Sequence, residues 1–268
     1  MDSLFLTPVE ISRTIKDIGE KKANENIFEL LILGMLAGIY IALGGNAAIA
    51  VLSGGTLDPG FAKFLSGSVF SLGLMLVLIL GSELFTGNIL MTIGLIYRKY
   101  SFVKVLRNWT VVYFGNFFGA LIIAALIFYS GLLGHAGDLS SMGNVAAKIA
   151  EAKLSLGFTE ALCRGILCNM LVCLAVIMSI SSKTIMGKIF GIYFPIMAFV
   201  ASGYEHSVAN MYFLPVGLIV KGEFASKFLS MFNNLIPVTI GNIIGGLLIV
   251  LLHPKVEEKI ARIIFRKR

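Results

Sequence analysis

An ionisable pair inside a long apolar stretch is the feature of this sequence that most limits what the chain can fold into. Glu205 and His206 lie within an apolar run from about Ile185 to Val220. That run is too long for one helical membrane crossing of about 20 residues and too short for two crossings joined by a turn. We therefore predict a single crossing interrupted near Gly203 and Pro195, because non-helical backbone is tolerated at membrane depth only where protein or a cavity satisfies it. A polar cluster at that depth indicates a functional site.

The composition is that of a membrane protein. Apolar residues make up 57% of the 268 residues, charged residues make up 14%, and the mean hydropathy is +0.90. The net charge of +7 does not indicate nucleic-acid binding, because the basic residues lie between and after the hydrophobic runs, where they set orientation. Cys163, Cys168 and Cys173 are five residues apart, or about 140° around a helix, and no histidine accompanies them. We therefore expect no metal, no cofactor and no nucleic acid.

The hydropathy pattern predicts an all-α integral membrane fold with six spans. These cover residues 27–51, 61–96, 109–133, 158–181, 186–220 and 232–253. Lys and Arg concentrate in the N-terminal segment 1–26, in the joins after the second and fourth spans, and in the tail 255–268. The positive-inside rule then places both termini in the cytoplasm, in a multi-pass protein of the plasma or inner membrane whose six-span domain covers residues 27–254.

A short amphipathic helix is predicted ahead of the first span. Thr7, Pro8 and Glu10 are typical of a helix start, as the N-cap, the first helical residue and the capping-box partner. One face would carry apolar side chains and the other basic ones, namely Ile11, Ile15 and Ile18 against Arg13, Lys16 and Lys21. A helix on the bilayer surface and a gate under a pore both fit this pattern.

The chain also repeats itself weakly. Residues 115–122 resemble 241–248, and residues 83–88 resemble 205–210 with a shared Glu-x-x-x-x-Asn pattern. Two three-span halves follow, about 27–133 and 158–253, and their odd number of crossings requires the second half to be inverted relative to the first. Inverted repeats with interrupted helices in corresponding positions place a substrate path between the repeats, near the midplane. The second span is accordingly predicted to break at residues 81–88.

Three residues at these interruptions are candidates for contact with a permeating species. Free amide N–H groups at the half-helix starts favour an anion, and Thr86 adds a hydroxyl there, unless it only satisfies the broken backbone. His206 exchanges protons near neutral pH, and protonating an anion would remove the charge whose desolvation makes crossing costly. The alternative is that His206 is a hydrogen-bonded core residue, with Glu205 as its partner or as a backbone clamp.

Two lysines precede the fourth span on the predicted outer side, Lys148 and Lys153. A lysine at the mouth of a pore attracts anions, whereas a lysine in a solvated loop need have no such role. The sequence gives no preference between the two. Lys16, on the polar face of the N-terminal helix, is a further candidate.

Three segments resemble signature segments of the formate/nitrite transporter family, namely residues 83–86, 164–175 and 201–211. The resemblance spans nearly the whole chain. It implies an aquaporin-like protomer in a homopentamer, each protomer passing small monovalent anions such as formate, nitrite or hydrosulfide through its own pore. It also implies that Thr86 lies in the loop interrupting the second span, His206 at the fifth-span break and Lys153 near the outer vestibule. Asn169 and Asn210 would line the path.

The same resemblance implies two apolar constrictions. One would comprise Leu84, Phe85 and Val172, and the other Phe70, Leu74 and Phe199. A hydrophobic ring stops hydrated ions through the cost of removing their water. Without the resemblance, ordinary packing would account for all six side chains.

Two other classes of function fit less well. A neutral-solute or water facilitator of the aquaporin type would share the inverted architecture, but neither half contains the Asn-Pro-Ala pair that such pores use. A membrane enzyme needs a nucleophile–base pair or a metal cluster, and Glu205 with His206 supplies neither. We therefore expect a pore for small anions rather than an enzyme. The choice of anion, and passive as against coupled transport, stay open.

Overall fold

Helices make up most of the computed structural model, which describes residues 3–135, 137–254 and 256. The predicted basic tail, 255–268, lies outside the described residues except for residue 256. Within the described part, five helices are long and apolar enough to cross a membrane: Ile27–Leu52, Pro59–Leu80, Phe102–Tyr129, Phe158–Ser181 and Leu229–Leu251. Three apolar helices are shorter: Phe85–Ile96, Ile185–Ala201 and Ser207–Val220.

In chain order the helices are α1 (Pro8–Asn24), α2 (Ile27–Leu52), α3 (Pro59–Leu80), α4 (Phe85–Asn88), α5 (Thr92–Ile96), α6 (Phe102–Tyr129), α7 (Ser141–Leu154), α8 (Phe158–Ser181), α9 (Ile185–Ala201), α10 (Ser207–Val220), α11 (Phe224–Lys227) and α12 (Phe232–Leu251). Turns of 3-10 helix at Ile89–Met91 and Leu229–Met231 precede α5 and α12. A short antiparallel hairpin joins α6 to α7, with β1 (Gly134–His135) paired to β2 (Asp138–Leu139).

The third predicted span is misplaced at both ends. The sequence predicts 109–133, whereas α6 runs from Phe102 to Tyr129. Its first two turns contain Lys104 and Arg107, which made this segment look like a polar join. Both side chains reach the end of α1, where Lys104 Nζ donates to Asn24 Oδ1 at 2.5 Å and Arg107 Nη2 donates to the Ala23 carbonyl at 2.9 Å. The basic groups therefore have polar partners although they belong to a spanning helix.

Helix α7 has no counterpart among the predicted elements. Ser140 caps it by accepting a hydrogen bond from Gly143 N at 3.1 Å. Its inner face is a row of small buried residues, Ala146, Ala147 and Ala150, and the helix packs against α10. With 14 residues it is too short and too polar to cross a membrane. A hydropathy pattern therefore does not distinguish it from a loop.

Two helix pairs are held together through glycines. Helix α2 packs on α6, and a Cβ added at Gly38 would overlap the Asn116 carbonyl. Helix α8 packs on α12 in the same way, and a Cβ at Gly241 would overlap the Leu162 carbonyl. Small residues let helix backbones touch. This close contact places Asn116 and Asn242, each next to such a glycine, against the neighbouring backbone.

The two predicted interruptions are present and are built alike. After α3, Gly81 takes a left-handed φ of 82° and Ser82 N bonds to the Val77 carbonyl at 3.0 Å. After α9, Gly203 takes a φ of 71° and Tyr204 N bonds to the Phe199 carbonyl at 3.1 Å. A left-handed glycine that closes the last turn in this way is a common helix stop. A short extended segment then leads into α4 or α10.

Two details of the interruptions differ from the prediction. Pro195 lies inside α9, which continues to Ala201, so Gly203 makes the break without it. The proline removes one helical hydrogen bond but leaves the helix intact. Thr86 lies inside the short helix α4 rather than in the loop before it. The helix restarts at Phe85, whose N–H donates to Asn116 Oδ1 at 3.0 Å.

Helix α1 begins as predicted and lies against the helical body. The capping box is confirmed, with Glu10 N donating to Thr7 Oγ1 and Thr7 N donating to Glu10 Oε2. The helix packs against α5, α6 and α8, and Ile15 is buried in this contact. Ahead of it, Leu6 N donates to the Ser181 carbonyl at 2.7 Å. On the apolar face of α1, Ile15 is therefore covered by protein, whereas Ile18 is 38% exposed.

Candidate functional site

The starts of the two half-helices meet at one hydrogen bond. Thr86 Oγ1 in α4 lies 2.9 Å from His206 Nε2 at the start of α10, and both side chains are buried. The residues before the helices have the same extended backbone, with φ and ψ of −111° and 123° at Leu84 and −112° and 117° at His206. The structure thus brings together the two predicted residues that lie 120 positions apart.

Backbone geometry selects the tautomer of His206. Its Nδ1 accepts a hydrogen bond from Ala209 N at 3.1 Å, which makes the imidazole the N-cap of α10. An amide N–H can only donate, so Nδ1 must be unprotonated, and the neutral ring then carries its hydrogen on Nε2. The Nε2–H therefore donates to Thr86 Oγ1. The Thr86 hydroxyl hydrogen is left to point elsewhere.

The prediction of free amides at the half-helix starts is wrong for the first residue of each. Phe85 N donates to Asn116 Oδ1 at 3.0 Å, and Ser207 N donates to Asn242 Oδ1 at 2.9 Å. A buried amide is costly without a partner, and these two asparagines supply one. Asparagine side chains therefore satisfy the amides that the prediction left free.

Asn116 and Asn242 make matching sets of contacts that sequence reasoning missed. The Asn116 amide donates to the Gly34 and Glu83 carbonyls at 2.8 and 2.9 Å. The Asn242 amide donates to the Gly165 and Glu205 carbonyls at 2.8 and 3.0 Å. Each asparagine thus ties an interruption to a neighbouring spanning helix. The Gly-Asn pair shared by residues 115–122 and 241–248 is the sequence signal that corresponds to these contacts.

Glu205 is paired with a lysine and not with its neighbour His206. Its Oε1 lies 2.8 Å from Lys153 Nζ, and its Oε2 accepts from Asn210 at 2.6 Å. Asn210 also donates to Asn234 Oδ1 at 2.7 Å. The alternative in which Glu205 partners the imidazole is therefore not the arrangement found. The Glu205 carboxylate has a cation and an amide instead.

A second cluster of the same composition surrounds Glu83. Glu83 Oε1 lies 2.9 Å from Lys22 Nζ, and Glu83 Oε2 accepts from Asn88 at 2.7 Å. Asn88 also donates to Asn108 Oδ1 at 2.8 Å. Lys22 was not among the predicted site residues. The repeated Glu-x-x-x-x-Asn pattern aligns Glu83 with Glu205, but the lysines that pair with them lie outside it, on α1 and α7.

A cavity lies on each side of the Thr86–His206 contact. The α1-side cavity has a volume of about 350 Å3 and is lined by Lys22, Glu83 and Leu84 among others. The α7-side cavity, of about 170 Å3, is lined by Lys153, Glu205 and His206 among others. Together the two cavities give the site a charged recess on either side.

The three candidate lysines lie in different surroundings. Lys153 lines the α7-side cavity and pairs with Glu205. Lys148 is exposed, one and a half turns earlier on α7. Lys16 stacks over the Tyr97 ring, 4.1 Å from its centroid. Of the three, Lys153 is the one that the structure joins to the site.

All six predicted constriction residues are buried. Phe70 and Phe199 line the α7-side cavity and contact each other edge to face, with ring centroids 5.7 Å apart. The Phe199 ring also lies 5.9 Å from the His206 ring. Leu84 lines the α1-side cavity, whereas Phe85 packs against Trp109 and Tyr113. Leu74 and Val172 are 1% exposed each.

Asn169 and Asn210, the two predicted path asparagines, are both fully buried. The Asn169 amide donates to the Thr86 carbonyl at 3.2 Å and to the Asn242 carbonyl at 2.6 Å. The side-chain oxygens of Asn169 and Asn210 have no hydrogen-bond partner among the described residues. Two acceptors therefore lie within or beside the site.

Comparison with known proteins identifies the family of this chain. A model of the formate/nitrite transporter family matches residues 9–255. The chain belongs to the formate/nitrite transporter family. It is 43% identical over 267 residues to a probable formate transporter of Methanothermobacter thermautotrophicus. The alignment covers 93% of this chain and 96% of the relative. It is 37% identical over 265 residues to the formate channel FocA of Escherichia coli (strain K12), covering 92% of each.

Two solved structures have a similar fold. A pentameric formate channel with formate bound has a TM-score of 0.73 and 35% identity, covering 84% of this chain and 94% of that one. A structure described as an FNT family ion channel has a TM-score of 0.82 and 28% identity. The match covers 93% of this chain and 98% of that one. These relatives are named as channels or transporters rather than enzymes. The chain is an all-α, multi-pass membrane protein of a transport family, and none of these relatives supports the neutral-solute alternative.

The pairing of Lys153 with Glu205 can be tested by measuring the stability of the protein against unfolding. Lys153→Gln leaves the buried Glu205 carboxylate without its cation, and we expect a loss of about 2 kcal/mol. The matched change Lys148→Gln alters an exposed side chain, and we expect less than about 0.5 kcal/mol. Thermal unfolding of the detergent-purified variants measures both. Equal shifts in the two variants would contradict the pairing.

Proposed function

We propose that this protein is a membrane channel or transporter for small monovalent anions of the formate, nitrite and hydrosulfide class. The observation that carries the proposal is the Thr86–His206 hydrogen bond between two half-helix starts, with a lysine-bearing cavity on each side. Two of the relatives are named formate channels, and one of these has formate bound. Formate is therefore the first anion to test.

The central step of the proposed mechanism is hydrogen-bond donation by Thr86. His206 Nε2–H donates to Thr86 Oγ1, so the Thr86 hydroxyl can turn its own hydrogen towards an anion. A donated hydrogen bond replaces part of the hydration that the anion loses in a buried site. His206 acts through Thr86 in this arrangement, by orienting the hydroxyl. As a neutral ring whose Nδ1 accepts from Ala209 N, it keeps its single N–H hydrogen for this bond.

The flanking groups attract the anion and strip its water. Lys22 and Lys153 place an ammonium group at each cavity, paired with Glu83 and Glu205 respectively, and an ammonium group attracts an anion at short range. The buried rings of Phe70 and Phe199, and Leu84 on the other side, form apolar walls that a hydrated ion crosses only at the cost of dewetting. Phe85, Leu74 and Val172 complete the two proposed constrictions. Asn169 and Asn210 offer polar atoms along the path.

We propose six crossings arranged as two inverted halves, about 27–133 and 158–253, in an aquaporin-like protomer. Matching hydrogen bonds at Glu83 and Glu205, and at Asn116 and Asn242, support this arrangement. The six-span domain, 27–254, lies between the N-terminal helix segment, 1–26, and the basic tail, 255–268. Both termini are proposed to face the cytoplasm across the plasma or inner membrane.

We further propose a homopentamer. The related formate channel is described as pentameric. Large apolar side chains are exposed along the spanning helices, such as Phe114 and Phe118 on α6 and Phe190 and Phe194 on α9. Such faces require either lipid or a neighbouring protomer.

Transport by proteoliposomes tests the central site. Thr86→Val keeps the side-chain shape and removes the hydroxyl, and we expect formate flux to fall about tenfold, the equivalent of one lost hydrogen bond of about 1.4 kcal/mol. Thr86→Ser keeps the hydroxyl and is the matched control, for which we expect less than about a twofold change. Formate flux that is unchanged in Thr86→Val would refute the proposed site.

A further inference from the structure

The two cavities differ in the charges that line them. Among the residues that the structure describes, six charged side chains line the α1-side cavity, and their charges balance: Lys21, Lys22 and Lys188 against Glu25, Glu29 and Glu83. In the described part of the chain, the charged side chains lining the α7-side cavity are Lys63, Lys153 and Glu205, which leave one positive charge in excess. An anion therefore meets a neutral mouth on one side and a positive mouth on the other.

Glu25 and Glu29 are the residues that neutralise the α1-side mouth. Glu83 is already paired with Lys22 at 2.9 Å, just as Glu205 is paired with Lys153 at 2.8 Å. Apart from these two ion pairs, the charged residue lining the α7-side cavity is Lys63 among the described residues. The α1-side cavity has Lys21 and Lys188 together with Glu25 and Glu29. The two glutamates therefore cancel the positive charge of the two lysines.

The fold holds these two carboxylates together at the mouth. Glu25 ends α1 and Glu29 lies in the first turn of α2, with Asn26 between them accepting from Glu29 N at 2.8 Å. Both side chains line the α1-side cavity. Arg107 Nη2 on α6 holds the Glu25 carbonyl at 2.8 Å. The end of α1, the start of α2 and Arg107 on α6 thus position the two glutamates.

We propose that Glu25 and Glu29 weaken anion capture at the α1-side mouth, so that this mouth captures formate less readily than the α7-side mouth, where Lys63 lies. The inference depends on the proposed transport of small anions. Surface charge changes the local anion concentration at a mouth with low-dielectric walls. Equilibrium across the membrane is unaffected. The difference between the two mouths therefore appears in the half-saturating formate concentration measured from each side. Because the equilibrium is fixed, the maximal rates in the two directions differ by the same factor.

Oriented proteoliposomes, sorted by the side on which a terminal tag is accessible, test this with formate as the probe. In the wild type we expect the half-saturating concentration to be higher for flux that starts on the α1 side. Glu25→Gln with Glu29→Gln should lower that value about threefold and leave the value from the α7 side unchanged. Lys63→Gln should raise the α7-side value instead.

A matched control separates this local effect from the total charge of the α1 side. Asp17→Asn with Glu20→Gln also removes two negative charges from the α1 side of the protein, at positions that do not line the cavity. We expect no change in either half-saturating concentration. If both double variants shift the value equally, total surface charge is responsible and the inference is overturned.

The pH on the α1 side provides a second readout. The hydrogen bond from Glu29 raises the pKa of Glu25, and partial burial and the charge of Glu29 act in the same direction. The charged groups around the pair are Lys21 and Lys22 on α1, Glu83 after α3, Arg107 on α6 and Lys188 on α9. A group with a raised pKa binds its proton sooner as the pH falls, so the negative charge of the pair is lost first on the acidic side.

Lowering the α1-side pH from 7.5 to 5.5 should therefore lower the half-saturating concentration in the wild type but not in the Glu25→Gln/Glu29→Gln variant. A simple carboxylate such as formate stays ionised over this range. The same value and the same pH response in both proteins would overturn the inference. Absence of formate flux in the wild type would overturn the proposed function, and the inference with it.

Discussion

His206→Ala is expected to reduce formate flux about 10- to 100-fold, because a buried donor worth about 1.5–3 kcal/mol is lost at the centre of the path. The imidazole Nε2–H fixes the Thr86 hydroxyl at 2.9 Å. Without it, the hydroxyl hydrogen has no preferred direction and the anion loses an oriented donor in a buried site. Flux of formate into proteoliposomes, scaled to the amount of folded protein, measures the effect.

His206→Asn separates this role from helix capping. The imidazole also accepts from Ala209 N at 3.1 Å, and asparagine is a good N-cap residue that can replace this acceptor. Its shorter side chain does not reach Thr86. We expect thermal stability to fall by about 1 kcal/mol in His206→Ala and by less in His206→Asn, while both lose flux. Normal flux in His206→Asn would show that capping alone explains the histidine.

Asn242→Ala is expected to produce the largest loss of stability, about 4 kcal/mol, because three buried hydrogen bonds disappear together. The side chain accepts from Ser207 N and donates to the Gly165 and Glu205 carbonyls. Each backbone partner is left buried and unsatisfied, at the interruption that carries His206. Thermal unfolding in detergent measures the stability, and formate flux at a temperature below the transition measures the disturbance of the site.

The control is an asparagine with similar bonds at an exposed position. Asn144 donates to the Leu139 and Ser140 carbonyls at 3.2 and 3.0 Å, and water can replace it there. We expect Asn144→Ala to cost less than about 0.5 kcal/mol. A similar cost for both substitutions would mean that burial does not make Asn242 important.

Much of the site could be predicted because its signals are local. Glycines at positions 81 and 203 stop their helices through a left-handed φ that other residues rarely adopt. Glu205 and His206 stand out because polar side chains are rare within an apolar run. Thr7 and Glu10 give a helix start that depends on three neighbouring residues. Each of these features can be read within a few positions of the chain.

Other parts were missed because they depend on distant partners. Asn242 bonds across 35 and 77 positions, and Lys22 lies 66 positions from Asn88. No local pattern distinguishes these side chains from ordinary packing or surface residues. Helix α7 was missed because a short helix of mixed composition has neither the length nor the hydropathy of a crossing.

By itself the sequence determined that this chain enters a membrane, where two of its helices are interrupted, and which polar residues lie at the interruptions, because hydropathy and helix-ending signals act over a few residues. Only the tertiary structure decided that the half-helix amides are held by asparagines, that Glu205 pairs with Lys153 rather than His206, and that α1 supplies Lys22 to the equivalent glutamate. Those outcomes depend on which helices approach closely enough to exchange hydrogen bonds, and that is settled by packing between segments far apart in the chain.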